Sequence, residues 1–541
     1  MQKTPTISIF LTVGILILGL AIFAKQFGFD PNPGWGKGRI ALLIVGLLVV
    51  FMPWMVNKRS TVLNRKAQGD LFALPSLLAV LGIYLAFISI SYEFTSSYYS
   101  LLATSFKNGE LALPLKPDPA LLELPNPYDP AARQGIKVPV DISLYNGKFY
   151  LYWGPAPSLL VAIFQSFLSM KVSEAQLLFI FMSGIFLSQF LLIMNLRERF
   201  FPEIPKWLVL PSIFFAGLAN PTLWLLSQPK IYETAIAGAQ FFFIAGFTSA
   251  VLSLGHQPFS RWGLALAGVF WALAVGTRSI MVFPVGFMTF MVLYLLFKTY
   301  SRSFFRLVAE VIPLGLPLFI GALGFCWYNW ARFGSFFETG FTYQLAAPYL
   351  QKHINELFLP SYIFQNLYNY LLNPFIIKQS FPFLYPIRGR IEEILSWPIL
   401  PELYTAQAIT GLLCTTPFLV FAILPAARYV KELFGKHRAQ KFSENSNTAS
   451  LRWIITSLLG SFALPFISLL VFFWAAMRYA EDFIPALTLL SIIGFWQGYQ
   501  ATLQNSSKGK MYTAVGLLLA GLSILVGALL ALSIYSTRGL F

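Results

Sequence analysis

GPAPSLLVAIFQSFLSM, residues 154–170, decides how this chain is threaded. The run is apolar but short, and it opens on two prolines, Pro155 and Pro157. If it crosses a membrane, every later connection changes side; if it lies along a surface, none does. A membrane is the right setting for the question. Of 541 residues, 57% are hydrophobic and 11% are charged, whereas soluble domains carry about a quarter of their residues as charges. Apolar runs recur near 7–24, 40–56, 71–91, 154–170, 174–195, 207–227, 232–254, 261–276, 279–297, 308–328, 404–427, 453–475, 482–500 and 512–535. Most are long enough, and free enough of charge, to read as transmembrane helices.

Lys and Arg settle the threading. They gather at Lys58/Arg59/Arg65/Lys66, Arg197/Arg199/Lys206, Lys298/Arg302/Arg306, Arg428/Lys431/Lys436/Arg438/Lys441 and Lys508/Lys510. Short basic loops belong on the cytoplasmic side. All of these loops share that side only if 154–170 does not cross. The expected fold is therefore an all-α polytopic membrane protein with 13 transmembrane helices. A large first outer loop, 92–173, holds a short hairpin and the interfacial helix, and 329–403 forms a second long outer loop. Two N-terminal helices (1–66) precede a transmembrane core (67–500), and one helix (501–541) follows. Met1–Ala24 has no small-residue cleavage pattern after its apolar run and reads as a retained anchor. The net charge of +16 is mostly the inner-loop bias, so no nucleic-acid partner is called for. Cys326 and Cys414 both fall in apolar runs and offer neither a disulfide framework nor a zinc spacing.

This threading collects the unusual polar residues on the outer side: Glu93, the segment Lys230-Ile231-Tyr232-Glu233, Gly276-Thr277-Arg278, and Arg478-Tyr479-Ala480-Glu481-Asp482. Charges at the edge of apolar segments are costly and mark either a buried pair or function. Just before the decisive run stands DISLYNGKFYLY, 141–152. Asn-Gly between alternating residues is a strong two-residue hairpin signal. It pairs Tyr145 with Lys148, Leu144 with Phe149, Ser143 with Tyr150, Ile142 with Leu151 and Asp141 with Tyr152. One face then carries Asp141, Ser143, Tyr145, Lys148, Tyr150 and Tyr152 and is expected to be wet. The other carries Ile142, Leu144, Phe149 and Leu151. The second outer loop opens with WYNWARFGSFFETGFTYQL, 327–345, where Arg332, Glu338 and Tyr343 stand among aromatics. Arginine suits bidentate binding of phosphate, and its charge cannot be switched off; an Arg332–Glu338 ion pair shaping the loop is the alternative. Residues 359–388 read as an interfacial segment able to guide a lipid tail. No Gly-rich phosphate cradle is present, so a nucleotide site is not expected.

These stretches resemble the multi-spanning glycosyltransferases of the GT-C superfamily, related to protein mannosyltransferases and lipid A aminoarabinose transferases, and within it a functionally unassigned bacterial subgroup. The likeness lies in D-x-S-L-Y-N-G-K-x-Y-L-Y-x-G-P-x-P at 141–157, Tyr-Asn-x-x-Arg-Phe-Gly-Ser-x-x-Glu at 328–338, and Arg478-Tyr479 followed by Asp482-Phe483-x-Pro485. With the topology it covers roughly residues 70–500. The resemblance implies inverting transfer of a sugar from a polyprenyl-phosphate donor to a lipid, glycan or protein acceptor at the outer face of the cell membrane. An acidic residue of the first outer loop would act as base. In many relatives an acidic pair sits just after the helix that opens this loop; here Glu93 stands alone in SYEFTSSYYS, 91–100. The base is therefore Asp141 or Glu93, with the hairpin favouring Asp141. Arg278, Arg332 and Arg478 are candidates for the donor phosphate. Tyr150, Tyr152 and Tyr232 are candidates for stacking on the sugar. Glu233, Glu338 and Asp482 are candidates for binding hydroxyls, orienting the arginines or holding a divalent ion, and the sequence leaves the metal question open. The alternatives are a transporter or flippase of a lipid-linked saccharide, a surface-polysaccharide ligase, and a non-catalytic membrane relative.

Overall fold

In a computed structural model of the chain, the described residues are 73–92, 97–139, 141–168, 172–255, 259–389, 400–434 and 446–539, with a few positions between 14 and 46. Glu93, the basic turn at 58–66 and most of the two N-terminal runs lie outside them.

The protein is mostly helical. Its principal helices are α1 (Leu74–Ser91), α2 (Tyr98–Lys107), α3 (Ala156–Leu168), α4 (Glu174–Phe200), α5 (Lys206–Leu218), α6 (Thr222–Leu226), α7 (Ile231–Leu254), α8 (Arg261–Thr277), α9 (Val282–Tyr300), α10 (Phe304–Phe333), α11 (Ile363–Leu371), α12 (Ile423–Phe434), α13 (Ser446–Leu470), α14 (Ile484–Thr502) and α15 (Ser506–Thr537). Local signals set several boundaries. Ser173 and Gln176 form a capping box at the start of α4, satisfying two backbone groups that the first turn leaves open. Gly334 closes α10 at φ +70°, a left-handed cap that favours glycine.

Seven helical segments among the described residues are long and apolar enough to cross a membrane: Leu74–Ser91, Glu174–Phe200, Ile231–Leu254, Ser279–Tyr300, Phe304–Phe333, Asn447–Leu470 and Ser507–Thr537. Three apolar helices are shorter. Two of the expected spans are not single helices. The run 207–227 is interrupted at 219–221 between α5 and α6. The run 404–427 is broken into short strands at Thr405–Ala406 and Ala408–Ile409, a turn of helix at Leu412–Thr415, a 3-10 stretch at Pro417–Ala422, and then the start of α12. Thr415, Thr416 and Pro417 stand at the break: the threonines are buried, and proline has no N–H to continue a helix.

The long helices share two ends. The Glu174 carbonyl accepts from Thr234 Oγ1 at 3.3 Å, and Arg199 lies beside Gly255, so α4 and α7 run parallel with matched ends. The 174/234 end also receives the end of α8, where Gly154 N donates to Thr277 O at 3.0 Å. The end of α10 joins it through Arg332 Nη1 to Leu151 O at 2.9 Å. The end of α15 joins it through Arg538 Nη1 to Ser227 O at 2.9 Å. This shared level is the near end; the turns at 199, 255, 300–303 and 503–505 form the far end. Helix α3 has 13 residues, about 20 Å at a 1.5 Å rise, against a hydrocarbon core of about 30 Å. It begins beside Thr277 at the near end, and the chain is back beside Thr234 at that same end by Glu174.

The hairpin forms with β1 (Ser143–Tyr145) and β2 (Lys148–Tyr150) in the register Ser143↔Tyr150, Leu144↔Phe149, Tyr145↔Lys148. Asn146 at φ +48° and Gly147 at φ +70° give both central turn residues positive φ, the geometry that suits a right-twisted hairpin. Ile142, Leu144, Phe149 and Leu151 are buried. The face expected to be wet is mostly covered. Ser143 is fully buried, its hydroxyl donating to Gly340 O at 2.7 Å, and Gln344 forms a β-bridge with Ser143. Tyr145 and Tyr150 pack on Phe333, with ring centroids 5.5 and 5.4 Å apart. Two three-residue strands are too little to stand alone; the segment 340–346 completes them as a third, extended segment, and the polar face becomes its seat.

Residues 359–388 form α11 followed by the antiparallel strands β3 (Phe375–Ile377) and β4 (Leu384–Arg388). Asn366 ties this unit to the bundle, donating to Leu470 O at 3.0 Å and Phe472 O at 2.8 Å just beyond α13.

Candidate functional site

At the near end the hairpin base, the start of α7, the junction of α8 with α9, the end of α10, the segment 339–358 and the turn 474–482 enclose a cavity of about 780 Å³. Asp141, Tyr152, Tyr232, Glu233, Arg278, Arg332, Arg478 and Asp482 all line it.

Asp141 is the acid of the hairpin wall. Its backbone takes φ +56°, a conformation uncommon outside glycine though least so for Asp and Asn, and it breaks the strand so that the carboxylate turns toward α7. The Tyr232 hydroxyl donates to Asp141 Oδ2. Burial pushes the Asp141 carboxyl above its ordinary range, while the Tyr232 hydrogen bond and the Arg478 and Arg133 charges pull it back. Glycine permits the approach of this wall to α8: a Cβ on Gly154 would lie 2.1 Å from Gly276 O and 2.8 Å from Thr277 O. That close seating brings Arg278, the residue after α8, into the same cavity as Asp141.

The opposite wall carries the cations. Arg278 Nη1 pairs with Asp482 Oδ1, whose side chain is 5% exposed. Arg478 Nη1 donates to Gln407 Oε1 at 2.6 Å, and its guanidinium lies 4.8 Å from the ring centre of Tyr232 and 5.0 Å from that of Tyr479. Its Nε is buried without a partner, as is one carboxylate oxygen of Glu233. Unpaired charged groups in such a place are costly, and an anionic, hydroxyl-rich ligand would satisfy both.

Arg332 touches the cavity but its fork is occupied. It donates to Tyr328 O at 3.3 Å, Leu151 O at 2.9 Å and Asn329 Oδ1 at 2.9 Å, and sits 3.8 Å from the Tyr328 ring centre. It ties α10 to the hairpin. Tyr152 lines the wall against Trp153 and Phe341, and burial pushes its phenol up to about 12, so it stays a neutral hydroxyl. Tyr150 and Glu338 are not brought to the cavity. Tyr150 packs on Phe333. Glu338 folds back on its own loop, accepting from Gly340 N at 2.6 Å and Thr342 Oγ1 at 2.5 Å, rather than pairing with Arg332. Among the described residues no three His, Cys, Asp or Glu side chains converge as a metal site requires.

The rest of the lining is apolar: Met281, Phe283 and Pro284 near the start of α9, Phe325 of α10, and Leu469 and Phe472 at the end of α13. Phe283 is 55% exposed, so this wall runs out to the exposed apolar surface of the bundle. Gln407 and Gln228 also line the cavity without having been singled out in the sequence. Gln407 lies in the run 404–427, which reads as a membrane span, and an isolated glutamine gives no other signal.

No family model matches the chain, and no curated protein matches it. Among solved structures it is similar to the apo crystal structure of the Archaeoglobus fulgidus oligosaccharyltransferase, with a TM-score of 0.39 and 14% identity over 85% of this chain and 56% of that one. The chain thus spans just over half the length of that protein, and a likeness at this level fixes neither family nor activity.

Proposed function

We propose that the protein is a membrane glycosyltransferase. It moves a sugar from a polyprenyl-phosphate donor to a lipid, glycan or protein hydroxyl, with inversion, at the outer face of the cell membrane. One observation carries this reading: a single cavity joins a half-buried acid, a wall of arginines and an apolar wall that reaches the exposed apolar surface of the helices. The apolar wall suits the prenyl chain. Arg478 and Arg278 suit the phosphate, where negative charge grows as the lipid phosphate departs. Asp141 suits the acceptor hydroxyl: it takes the proton as the oxygen attacks the anomeric carbon, and Tyr232 steadies its carboxylate. Glu233 and Tyr152 remain for sugar hydroxyls. The outward orientation is supported by the charge pattern, since the cavity lies at the near end and the basic turns at the far end.

The test is transfer from a panel of radiolabelled polyprenyl-phosphate sugars in membranes carrying the wild type or Asp141→Asn. The substitution is expected to lower transfer about 10²- to 10⁴-fold, the usual worth of a general base, with normal expression and thermal stability. Full activity in folded Asp141→Asn would remove Asp141 as the base. Absence of transfer from every donor by the wild type would count against the whole reading.

A further inference from the structure

Among the described residues, the first outer loop contains one buried cation that takes no part in the cavity wall. Arg133 is 7% exposed, its Nη2 donates to Ala346 O, and its Nη1 is buried without a partner. Its carbonyl partner is placed by register. Ser143 bridges Gln344 in antiparallel fashion, and Leu345 N donates to Ile142 O at 2.9 Å. The next residue along, Ala346, lines the same cavity as Asp141. The same stretch of loop grips both partners elsewhere: the Tyr128 hydroxyl donates to Leu144 O at 2.9 Å, and Asn126 Nδ2 donates to Tyr349 Oη at 2.5 Å. The segment 126–133 therefore clamps the hairpin to the second outer loop, and Arg133 is the charged end of that clamp.

We propose that Arg133 is a positioning residue for Asp141: through the Ala346 carbonyl it holds the segment 344–346 against the base of the hairpin from which Asp141 projects, and it places a positive charge on the protein side of that carboxyl. This rests on the assignment of Asp141 as base only for its bearing on catalysis. The groups facing Asp141 are Tyr232 of α7, Arg478 of the turn 477–482 and Arg133, while Tyr98 and Tyr152 sense its charge. Tyr232 and Arg478 act from the cavity side, where a ligand would engage them. Arg133 acts from the protein side and stays in place whatever the cavity holds. Burial pulls the Arg133 guanidinium down, and the charges of Asp141 and Asp129 offset this.

The experiment reads Asp141 directly and needs no substrate. A water-soluble carbodiimide with an amine nucleophile labels protonated carboxyls, and mass spectrometry of the purified full chain gives the labelling of Asp141 against pH. A neighbouring positive charge favours the carboxylate, so its loss raises the midpoint. Arg133→Gln is expected to raise it by about one pH unit, roughly a tenfold change in the acid constant. Arg133→Lys is expected to hold it within about 0.3 unit. Asp129→Asn keeps the acceptor that Asp129 offers to Ala131 N, so its fold is preserved, and it is expected to lower the midpoint. An unmoved midpoint in Arg133→Gln, or equal shifts in Gln and Lys, overturns the proposal. So does an unmoved midpoint in Asp129→Asn should Arg133→Gln not fold. Midpoint shifts without transfer from any lipid-phosphate sugar would leave this proposal standing and sink the glycosyltransferase reading instead.

Discussion

The two ends of the helix bundle use the same side chains to opposite effect. At the far end, Arg302 and Arg306 are exposed, Arg199 lies over the Phe200 ring at 5.1 Å, and Arg197 Nε reaches Ile204 O at 3.3 Å. These are solvated or locally satisfied cations, the kind that contribute little to stability. At the near end, Glu233 and Asp482 are buried and Arg478 is half-buried around a cavity, and Arg478 and Glu233 each keep a polar atom unpartnered. Folding alone does not favour such a cluster. Its persistence next to a large cavity points to a ligand as the missing partner; the buried carboxylate of the far end, Glu310, is paired with Arg261 instead.

The strongest way to break the comparison is to remove a near-end cation. Arg478→Gln keeps a donor for Gln407 but loses the charge, and it is expected to lower transfer about 10²- to 10³-fold, as loss of one stabilising group in a reacting site does. Initial rates with saturating donor measure this. A drop of less than about threefold would make the arginine structural. Next comes the seating of the hairpin. Gly154→Ala forces a Cβ into the Gly276 carbonyl, and overpacking of this kind costs about 1–3 kcal/mol. Thermal unfolding in detergent should fall by several degrees, with transfer falling alongside because Arg278 is displaced relative to Asp141. An unchanged melting temperature would mean the contact yields easily.

A smaller effect separates burial from pairing. Glu481, in the turn between α13 and α14, is pushed up to about 8 from 4.5 by burial, with the charge of Asp482 adding to it. The folded protein then holds a proton across that interval which the unfolded chain releases, so stability falls as pH rises from about 4.5 to about 8. Glu481→Gln removes this slope. Melting temperatures at pH 5 and pH 8 should differ less in the variant, by about 2 °C or more. Parallel pH dependence in the two proteins would show that Glu481 carries its charge in the fold.

Much of this was legible because it depends on short-range rules. Asn146-Gly147 between alternating residues gave the hairpin register, and uninterrupted apolar runs gave the long helices. Residues 404–427 misled because composition does not reveal that Thr415, Thr416 and Pro417 interrupt the helix, and the misreading hid Gln407. The covered face of the hairpin and the engaged fork of Arg332 were out of reach for a different reason. Both depend on where residues 333–345 dock, about 190 residues downstream of the hairpin, and alternation within one strand carries no record of what covers it. Arg133 was invisible for the same cause: its meaning comes from Ala346.

The least intrusive prediction concerns orientation and leaves activity untouched. Lys148 is exposed at the hairpin tip and Arg302 is exposed between α9 and α10, so cysteines there sit at opposite ends without disturbing either. In a background with Cys326 and Cys414 replaced by serine, Lys148→Cys should react with a membrane-impermeant maleimide in intact cells. Arg302→Cys should react only after permeabilisation, and neither change should alter transfer or melting temperature beyond what surface substitutions produce. Labelling of both from outside would mean that the basic turns do not share the cytoplasmic side. The comparison between the two ends would then survive as a contrast in burial but lose its meaning as a contrast between membrane faces.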